Sequence, residues 1–146
     1  MVCVLMLDLS SAVYAGEPEA GLVTLTGKAS LLASRLKGLD VSADADAVEK
    51  LIVVESGPGV FEVLLPDTAS RALVLDERLR NRDIEVKGRR IAGLPFLQVM
   101  SFMVQEDGRW RTPEYYCDVC TIQVRYPQIC PCCQGPMELR MKPEAP

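Results

Sequence analysis

Four cysteines in the C-terminal third of the chain have the spacing of a metal site. Cys117 and Cys120 form one Cys-x2-Cys pair, and Cys130 and Cys133 form a second pair after nine intervening residues. Two residues between cysteines allow a tight turn to direct both sulfurs at one point, and two such pairs supply the soft ligands that a tetrahedral cation prefers. The array therefore predicts a closed site in which these four thiolates hold one structural Zn²⁺ ion.

The residues around the two pairs favour short turns between strands. Pro131 fixes the backbone after Cys130, and we expect Gly135 to take the positive φ with which such a turn often ends. Aromatic and β-branched residues flank the first pair and favour strands on both sides of it. With these features residues 109–141 resemble a zinc ribbon, and the resemblance implies a structural role for the metal.

The sequence leaves other uses of the thiols open. Cys132 is a rival ligand beside Cys133, and only the i, i+3 spacing favours Cys133 as the partner of Cys130. The gap between the pairs is shorter than is usual for this pattern, and disulfides or a redox dithiol would use the same cysteines. Iron in a rubredoxin-like site needs the same four ligands as zinc.

The N-terminal segment, residues 1–21, resembles a signal peptide followed by a linker. The apolar run Val2–Leu7 precedes Val13 and Ala15, and a polar stretch with Pro18 follows, which predicts cleavage after Ala15 and export. Because no positive charge precedes the apolar run, the alternative is a cytoplasmic protein whose first residues form a buried strand. No stretch reaches the roughly 18 apolar residues that a membrane-spanning helix needs.

Composition limits the chemistry that the chain can perform. Its 146 residues are 49% hydrophobic, include no histidine and carry a formal net charge of −4. Without histidine there is no ordinary triad base, no histidine metal ligand and no side chain that normally titrates near neutral pH. An acidic chain is also poorly suited to binding that depends on counterion release from phosphates. These features argue against an enzyme and make nucleic acid a disfavoured partner.

Residues 22–108 have the pattern of a β-rich domain. Alternating apolar and polar residues predict a first strand over Val23–Leu31, with a bulge or a sharp bend at Gly27. Two further strands are predicted at Leu51–Glu55 and Val60–Leu65, and the glycines and proline between them predict a hairpin connection.

The second half of this domain begins with a change of pattern. Good helix formers between residues 68 and 80, with Asp67 or Thr68 as the cap, predict one or two short helical turns. Strand character returns at Ile84–Arg89 and at Phe96–Val104. Three strands, a helical connection and two more strands are the element order of the OB-fold, a five-stranded Greek-key barrel.

The whole chain is similar to small, largely uncharacterised bacterial proteins, often exported, that join an OB-fold-like barrel to a C-terminal pair of cysteine knuckles. The resemblance rests on the element order, the glycine bend, the phrase Asp83–Arg89 and the spacing of the cysteines. It implies a mainly β architecture of a barrel over residues 22–108, a zinc ribbon over 109–141 and a short tail over 142–146. It implies no catalytic residues.

We therefore predict a non-catalytic binding or scaffold protein. The junction of barrel and ribbon around Trp110 is the predicted site for a protein or peptide partner, because two small modules that share a face form a composite groove. A thiol-redox protein that uses the Cys-x2-Cys pairs is the alternative from another class.

A single-stranded nucleic-acid accessory protein is the second alternative. It would need exposed aromatic side chains beside a basic groove. We expect Phe61, Phe96 and Phe102 to lie in the core instead, and we expect the basic residues between 78 and 90 to pair with the acidic residues among them.

Overall fold

The computed structural model describes residues 21–142, so the predicted cleavage site after Ala15 lies outside the described residues. The described chain is mainly β, as predicted. Its strands are β1 (Gly21–Leu31), β2 (Ile52–Gly57), β3 (Val60–Val63), β4 (Asp83–Arg90), β5 (Leu97–Glu106), β6 (Arg109–Cys117), β7 (Ile122–Val124) and β8 (Glu138–Lys142). Its helices are α1 (Leu32–Gly38), α2 (Ala45–Val48) and α3 (Arg71–Leu75), with a 3-10 turn at Glu77–Leu79.

The strands form a curled antiparallel sheet with the shape of a half-barrel. The strand order is β3-β2-β1-β4-β5-β6-β7, and β8 pairs with β6. A parallel bridge joins Leu64, just after β3, to Leu97 at the start of β5, and the N–H of Leu65 donates to the carbonyl of Leu97 at 2.9 Å. This bridge brings together two strands that lie four places apart in the strand order.

Strand β1 connects the two sides of the half-barrel. Residues Gly21–Lys28 pair with β4, and residues Lys28–Leu31 pair with β2. Gly27 lies where the two partners meet, and a Cβ atom there would lie 2.1 Å from the carbonyl oxygen of Glu55. The glycine predicted to mark a bend is thus required by the close approach of the β2 backbone.

The core lies inside the curl, and alternation along the strands fills it. Ile84 and Val86 of β4 are fully buried, as period two requires, and so are Leu97 and Val104 of β5, where the register shift at Met100 changes the alternation. The α3 segment covers one side of this core with Ala72 and Leu73, which are also fully buried; Leu79 of the 3-10 turn joins them. The predicted cap residue Asp67 accepts hydrogen bonds from the N–H groups of Ala69 and Ser70 in the turn before α3.

Strand β6 belongs to both parts of the molecule. Its first residues, Arg109–Arg111, pair with β5, whereas Thr112–Tyr116 pair with β8 and Tyr115–Cys117 pair with β7. The predicted boundary between barrel and ribbon, after residue 108, falls in the turn that precedes β6. The ribbon strands do not form a separate core, because Tyr115 is part of the same buried cluster as the barrel residues.

Tyr115 makes the main polar contact between the two parts. Its side chain is fully buried, and its hydroxyl donates a hydrogen bond of 2.7 Å to Oδ2 of Asp76. The guanidinium of Arg78 donates to both carboxylate oxygens of Asp76, at 2.7 to 3.2 Å, and the backbone N–H of Arg78 donates to Oδ1. Every strong acceptor site of this buried carboxylate thus has a partner, as a buried charge requires.

These contacts shift the acid–base properties of both groups. The hydrogen bonds from Arg78 outweigh the desolvation of Asp76 and, with the bond from Tyr115, lower the pKa of Asp76 from 3.8 to about 2. Burial, followed by the hydrogen bond to the Asp76 carboxylate, raises the pKa of Tyr115 well above its ordinary value. Asp76 is therefore ionised in the folded protein at neutral pH.

We predict that Gly27→Ala destabilises the fold. The new methyl group would force the β2 backbone away from β1, which costs about 1–3 kcal/mol as overpacking does elsewhere. Gly57→Ala is the matched control, because a Cβ at Gly57 meets no atom within 4 Å. Urea unfolding followed by the fluorescence of Trp110 measures both variants. Equal midpoints for the two variants would contradict the close approach at Gly27.

We predict that Asp76 makes stability fall in acid. Because its folded pKa of about 2 lies below the ordinary 3.8, its ionisation stabilises the fold above pH ~4, and this contribution, about 2 kcal/mol, is lost as the pH falls towards 2. Asp76→Asn removes this contribution, so the difference in unfolding free energy between wild type and variant should shrink as the pH falls below ~4. A difference that stays constant from pH 6 to pH 3 would contradict the prediction.

Candidate metal centre

The cysteine positions follow from the pairing of β6. Pro113, Tyr115 and Cys117 alternate along this strand and are all buried on the same side. The alternation that places Tyr115 in the core therefore also points Cys117 inward, two residues further on. Cys120 lies in the turn between β6 and β7, and Cys130 and Cys133 lie in the segment between β7 and β8.

The two Cys-x2-Cys turns have the same backbone geometry. The N–H of Thr121 donates to the carbonyl of Cys117 at 2.8 Å, and the N–H of Gln134 donates to the carbonyl of Cys130 at 3.0 Å. Thr121 has φ 54° and Gln134 has φ 59°. Each turn thus ends one residue after its second cysteine in the left-handed region, which costs a non-glycine residue roughly 1–2 kcal/mol.

The positive φ predicted at Gly135 was wrong, because the i, i+4 hydrogen bond of the turn places this conformation at Gln134 instead. Gly135 has another function. Its carbonyl accepts a 2.8 Å hydrogen bond from the N–H of Cys130, and a Cβ at this position would be in ordinary contact with Sγ of Cys133, at 3.4 Å.

Backbone N–H groups surround the first sulfur of each turn. The N–H groups of Cys120 and Val119 donate to the sulfur of Cys117, and those of Cys133 and Cys132 donate to the sulfur of Cys130. Such bonds favour the thiolate form, which is the form that binds metal.

The thiol pKa values differ because the sulfurs also interact with one another. The backbone N–H of Cys133 contributes most to lowering the pKa of Cys130 to about 6, against the effect of burial. At Cys117 the N–H of Cys120 again lowers the pKa, but burial and the thiols of Cys133 and Cys130 prevail and raise it.

The four sulfurs are close enough to hold one metal ion. The Sγ atoms of Cys117, Cys120, Cys130 and Cys133 all lie within 4.8 Å of one another, and those of Cys117 and Cys133 are 3.5 Å apart. Four sulfurs at about 2.3 Å from a central ion in a tetrahedron lie about 3.8 Å apart. The structure therefore brings together all four predicted ligands, and the donor set fits a closed tetrathiolate site.

The cluster lies at the surface end of the ribbon, with one side covered. Cys117 and Cys130 are buried, whereas Cys120 is half-buried and Cys133 is exposed. An ion held there would be reached from one side only. All five cysteines in the described part of the chain are free thiols.

Cys132 lies beside the cluster but is not part of it. It is exposed and does not belong to the group of mutually close sulfurs. The interaction of its thiol with that of Cys120 contributes most to raising the pKa of Cys120 above its ordinary value. The structure thus favours Cys133 over Cys132 as the ligand, in agreement with the i, i+3 spacing.

Side chains from β8 support the first turn. Arg140 forms an ion pair with Asp118, which lies inside the turn, and its guanidinium lies 4.0 Å from the centre of the Tyr116 ring. A second contact of this kind joins ribbon and barrel, because the guanidinium of Arg71 in α3 lies 4.6 Å from the centre of the Tyr126 ring.

Sequence patterns alone missed the residues that hold the site in place. Trp110, the residue predicted at the junction, is only half-buried and faces Gln105 of β5. Tyr115 is the aromatic residue that packs into the core. The sequence did contain a signal for this: Tyr115 lies two residues before Cys117, so both side chains point to the same side of a strand. No pattern indicated β8 or its arginine.

The basic stretch between residues 78 and 90 makes contacts within the protein. Arg78, Arg82, Lys87 and Arg90 form ion pairs with Asp76, Glu106, Glu85 and Glu62 respectively. Arg80 donates to the carbonyls of Leu73 and Val74 at the end of α3, and Arg89 donates to Gln98. Each of these cations thus has an acidic, amide or carbonyl partner within the protein.

Comparison of the chain with protein-family models, with curated proteins and with solved structures finds no match.

We predict that Cys133→Ser and Cys132→Ser have different effects on metal binding. Loss of a thiolate ligand should weaken Zn²⁺ binding by roughly a hundredfold or more, because the four ligands share a binding free energy of about 10–16 kcal/mol. Loss of the neighbouring Cys132 should leave both affinity and stoichiometry nearly unchanged. Competition with a chromophoric chelator measures both variants. The reverse result would assign Cys132 as the ligand.

Proposed function

We propose that this chain is a non-catalytic binding or scaffold protein in which one structural zinc ion closes a C-terminal ribbon on an OB-fold-like barrel. The observation that carries the proposal is the mutual approach of four cysteine sulfurs within 4.8 Å. Thiolates in a tetrahedral set select zinc or iron among the common metals, and zinc is the usual ion of paired Cys-x2-Cys turns.

The barrel part of the proposal is supported by connectivity. β1 pairs with β2 and β4, β2 pairs with β3, and β4 pairs with β5, while the bridge between Leu64 and Leu97 links the end of β3 to β5. A helical segment lies between β3 and β4. These pairings support the proposal of a partly open five-stranded Greek-key barrel. It also supports grouping the chain with the bacterial barrel-and-knuckle proteins that its sequence resembles.

A structural function for the metal follows from the donor set. Catalytic zinc sites keep one coordination position open for water or substrate, whereas four cysteines occupy every position of a tetrahedral ion. The sequence contains no histidine to act as a base beside the site. We therefore propose that the chain is not an enzyme and that the ion stabilises the β6–β7–β8 sheet.

The nucleic-acid alternative has less support. The guanidinium of Arg35 lies 4.6 Å from the centre of the Phe61 ring and covers one of its faces, and Phe102 is only 9% exposed, which leaves little aromatic surface for base stacking. Phe96, the third candidate, is half-buried. A protein or peptide partner at the junction of barrel and ribbon agrees better with these surroundings.

The cellular compartment of the protein is proposed from the N-terminal sequence. Among residues 21–142 no helix has the length and apolar character to cross a membrane. We propose export on the signal-peptide-like sequence alone, with a cytoplasmic protein as the alternative.

We predict one zinc ion per chain and four thiols protected from a thiol reagent until a chelator is added. Chelation should lower the melting temperature by more than about 10 °C, because a structural metal contributes its binding free energy to folding and the ribbon shares its core with the barrel. Elemental analysis, thiol titration and calorimetry measure these quantities. Reversible oxidation of the cysteines in a metal-free protein would support the thiol-redox alternative.

A further inference from the structure

One edge of β5 has no partner over most of its length. The residues of Gln98–Met103 other than Met100 pair with β4 on one side, but on the other side β6 joins only from Val104 onwards, and Leu97 makes the bridge to Leu64. Within residues 21–142 no strand pairs with this second edge between Gln98 and Met103. At about 3.4 Å per residue, the free edge is about 20 Å long.

The part of β6 that faces this free edge of β5 also lacks a partner strand on that side. Between its pairing with β5, which ends at Arg111, and its pairing with β7, which begins at Tyr115, residues 112–114 pair only with β8. We name the space between β5 and β6 the fork and define it by Gln98–Met103, residues 112–114 and Arg125.

The fork contains a cavity of about 130 Å³. Its apolar lining comes from Ala69, Phe102 and Pro113, and its polar lining comes from Ser101, Thr112 and Arg125. A second cavity of about 320 Å³ continues past Thr112, Pro113 and Arg125 towards β7 and β8. The fork therefore combines free backbone groups with an apolar floor and a polar rim, which is the anatomy of a peptide groove.

Arg125 supplies the charge in the fork. Its side chain is exposed, and in the described part of the chain it forms no ion pair and no hydrogen bond, in contrast to Arg78, Arg82 and Arg90. A guanidinium beside an apolar cavity favours a carboxylate, which it can bind with two parallel hydrogen bonds.

The outer margin of the fork is apolar and adaptable. Met100 is the extra residue in the register shift between β4 and β5, and it is 55% exposed. It lines the fork cavity and also a neighbouring cavity that includes Leu22, which is 74% exposed. Methionine adapts its shape to different apolar partners and is common on peptide-binding surfaces.

We propose that the fork binds an extended peptide as an added β-strand on the free edge of β5, with an apolar side chain over Phe102 and a carboxylate on Arg125. The proposal deepens the binding function proposed above and rests on it. Backbone hydrogen bonds to β5 supply affinity, and the cavity and the arginine supply selectivity. The bulge at Met100 and the proline at residue 113 limit indiscriminate pairing with other strands.

The test starts with a phage-displayed library of random peptides selected on the purified full-length protein. We expect the selected peptides to be rich in β-forming residues with one aspartate, glutamate or free C-terminal carboxylate. Arg125→Glu should weaken their binding by at least about tenfold, which corresponds to about 1.4 kcal/mol. Arg109→Glu is the matched control, because Arg109 is also exposed and lies on β6 outside the fork. An equal loss of peptide affinity in both variants would overturn the proposal that Arg125 binds the carboxylate of the peptide.

Backbone methylation of the synthetic peptide tests strand addition directly. An added strand presents alternate N–H groups to β5, so N-methylation of one alternating set should abolish binding, and methylation of the other set should preserve it. Equal tolerance of both sets, or a library that yields no binder, would overturn the proposal. Amidation of the peptide's C-terminus and replacement of its acidic side chain identify the source of the carboxylate. Binding that is insensitive to both changes would overturn the proposed contact between a carboxylate and Arg125.

Measurements of peptide binding and of zinc content distinguish the failure of the peptide-binding proposal from the failure of the structural-zinc proposal. A protein without bound zinc that still binds peptides in an Arg125-dependent manner would contradict the structural zinc site and support the fork. A protein with one zinc ion per chain and no peptide binding would contradict the fork and leave the zinc site in place.

Discussion

The buried hydrogen bond between Tyr115 and Asp76 joins the cysteine cluster to the barrel. Tyr115 lies on β6 two residues before Cys117, and Asp76 lies between α3 and the 3-10 turn, 39 residues away in sequence. The bond fixes the position and the orientation of β6, because a fully buried tyrosine hydroxyl beside an ionised carboxylate has no alternative partner of equal strength. Cys117, the first candidate ligand, is therefore placed by the core of the barrel and not by the ribbon itself.

This arrangement makes the two parts of the molecule one cooperative unit. A small zinc ribbon alone buries too little apolar surface to be stable and depends on its metal. Here the ribbon also packs on the barrel through side chains that surround Tyr115, including Val124, Leu139 and Met141. Loosening of the cysteine turns would expose part of the barrel core, and loosening of the barrel would displace Cys117.

The cysteine turns store a conformational cost that a metal would offset. Thr121 and Gln134 both adopt positive φ, and for the β-branched threonine this conformation is especially unfavourable. The i, i+4 hydrogen bonds and the N–H groups that donate to Cys117 and Cys130 compensate in part. A cation bound by the four sulfurs, which lie within 4.8 Å of one another, would stabilise their thiolate forms and so couple the strained turns to metal binding.

The sequence by itself determined the local features: the mainly β character, the four candidate ligands and the helical segment after the third strand. These follow from periodicity and spacing, which act over a few residues. The two helices between β1 and β2 were not predicted, because they have seven and four residues and too little periodicity to detect. Tertiary structure alone decided that Tyr115 enters the barrel core, that β8 pairs with β6, and that β5 keeps a free edge beside Arg125. Such contacts join residues that are distant in sequence, and they depend on how the sheet curls, which no local pattern encodes.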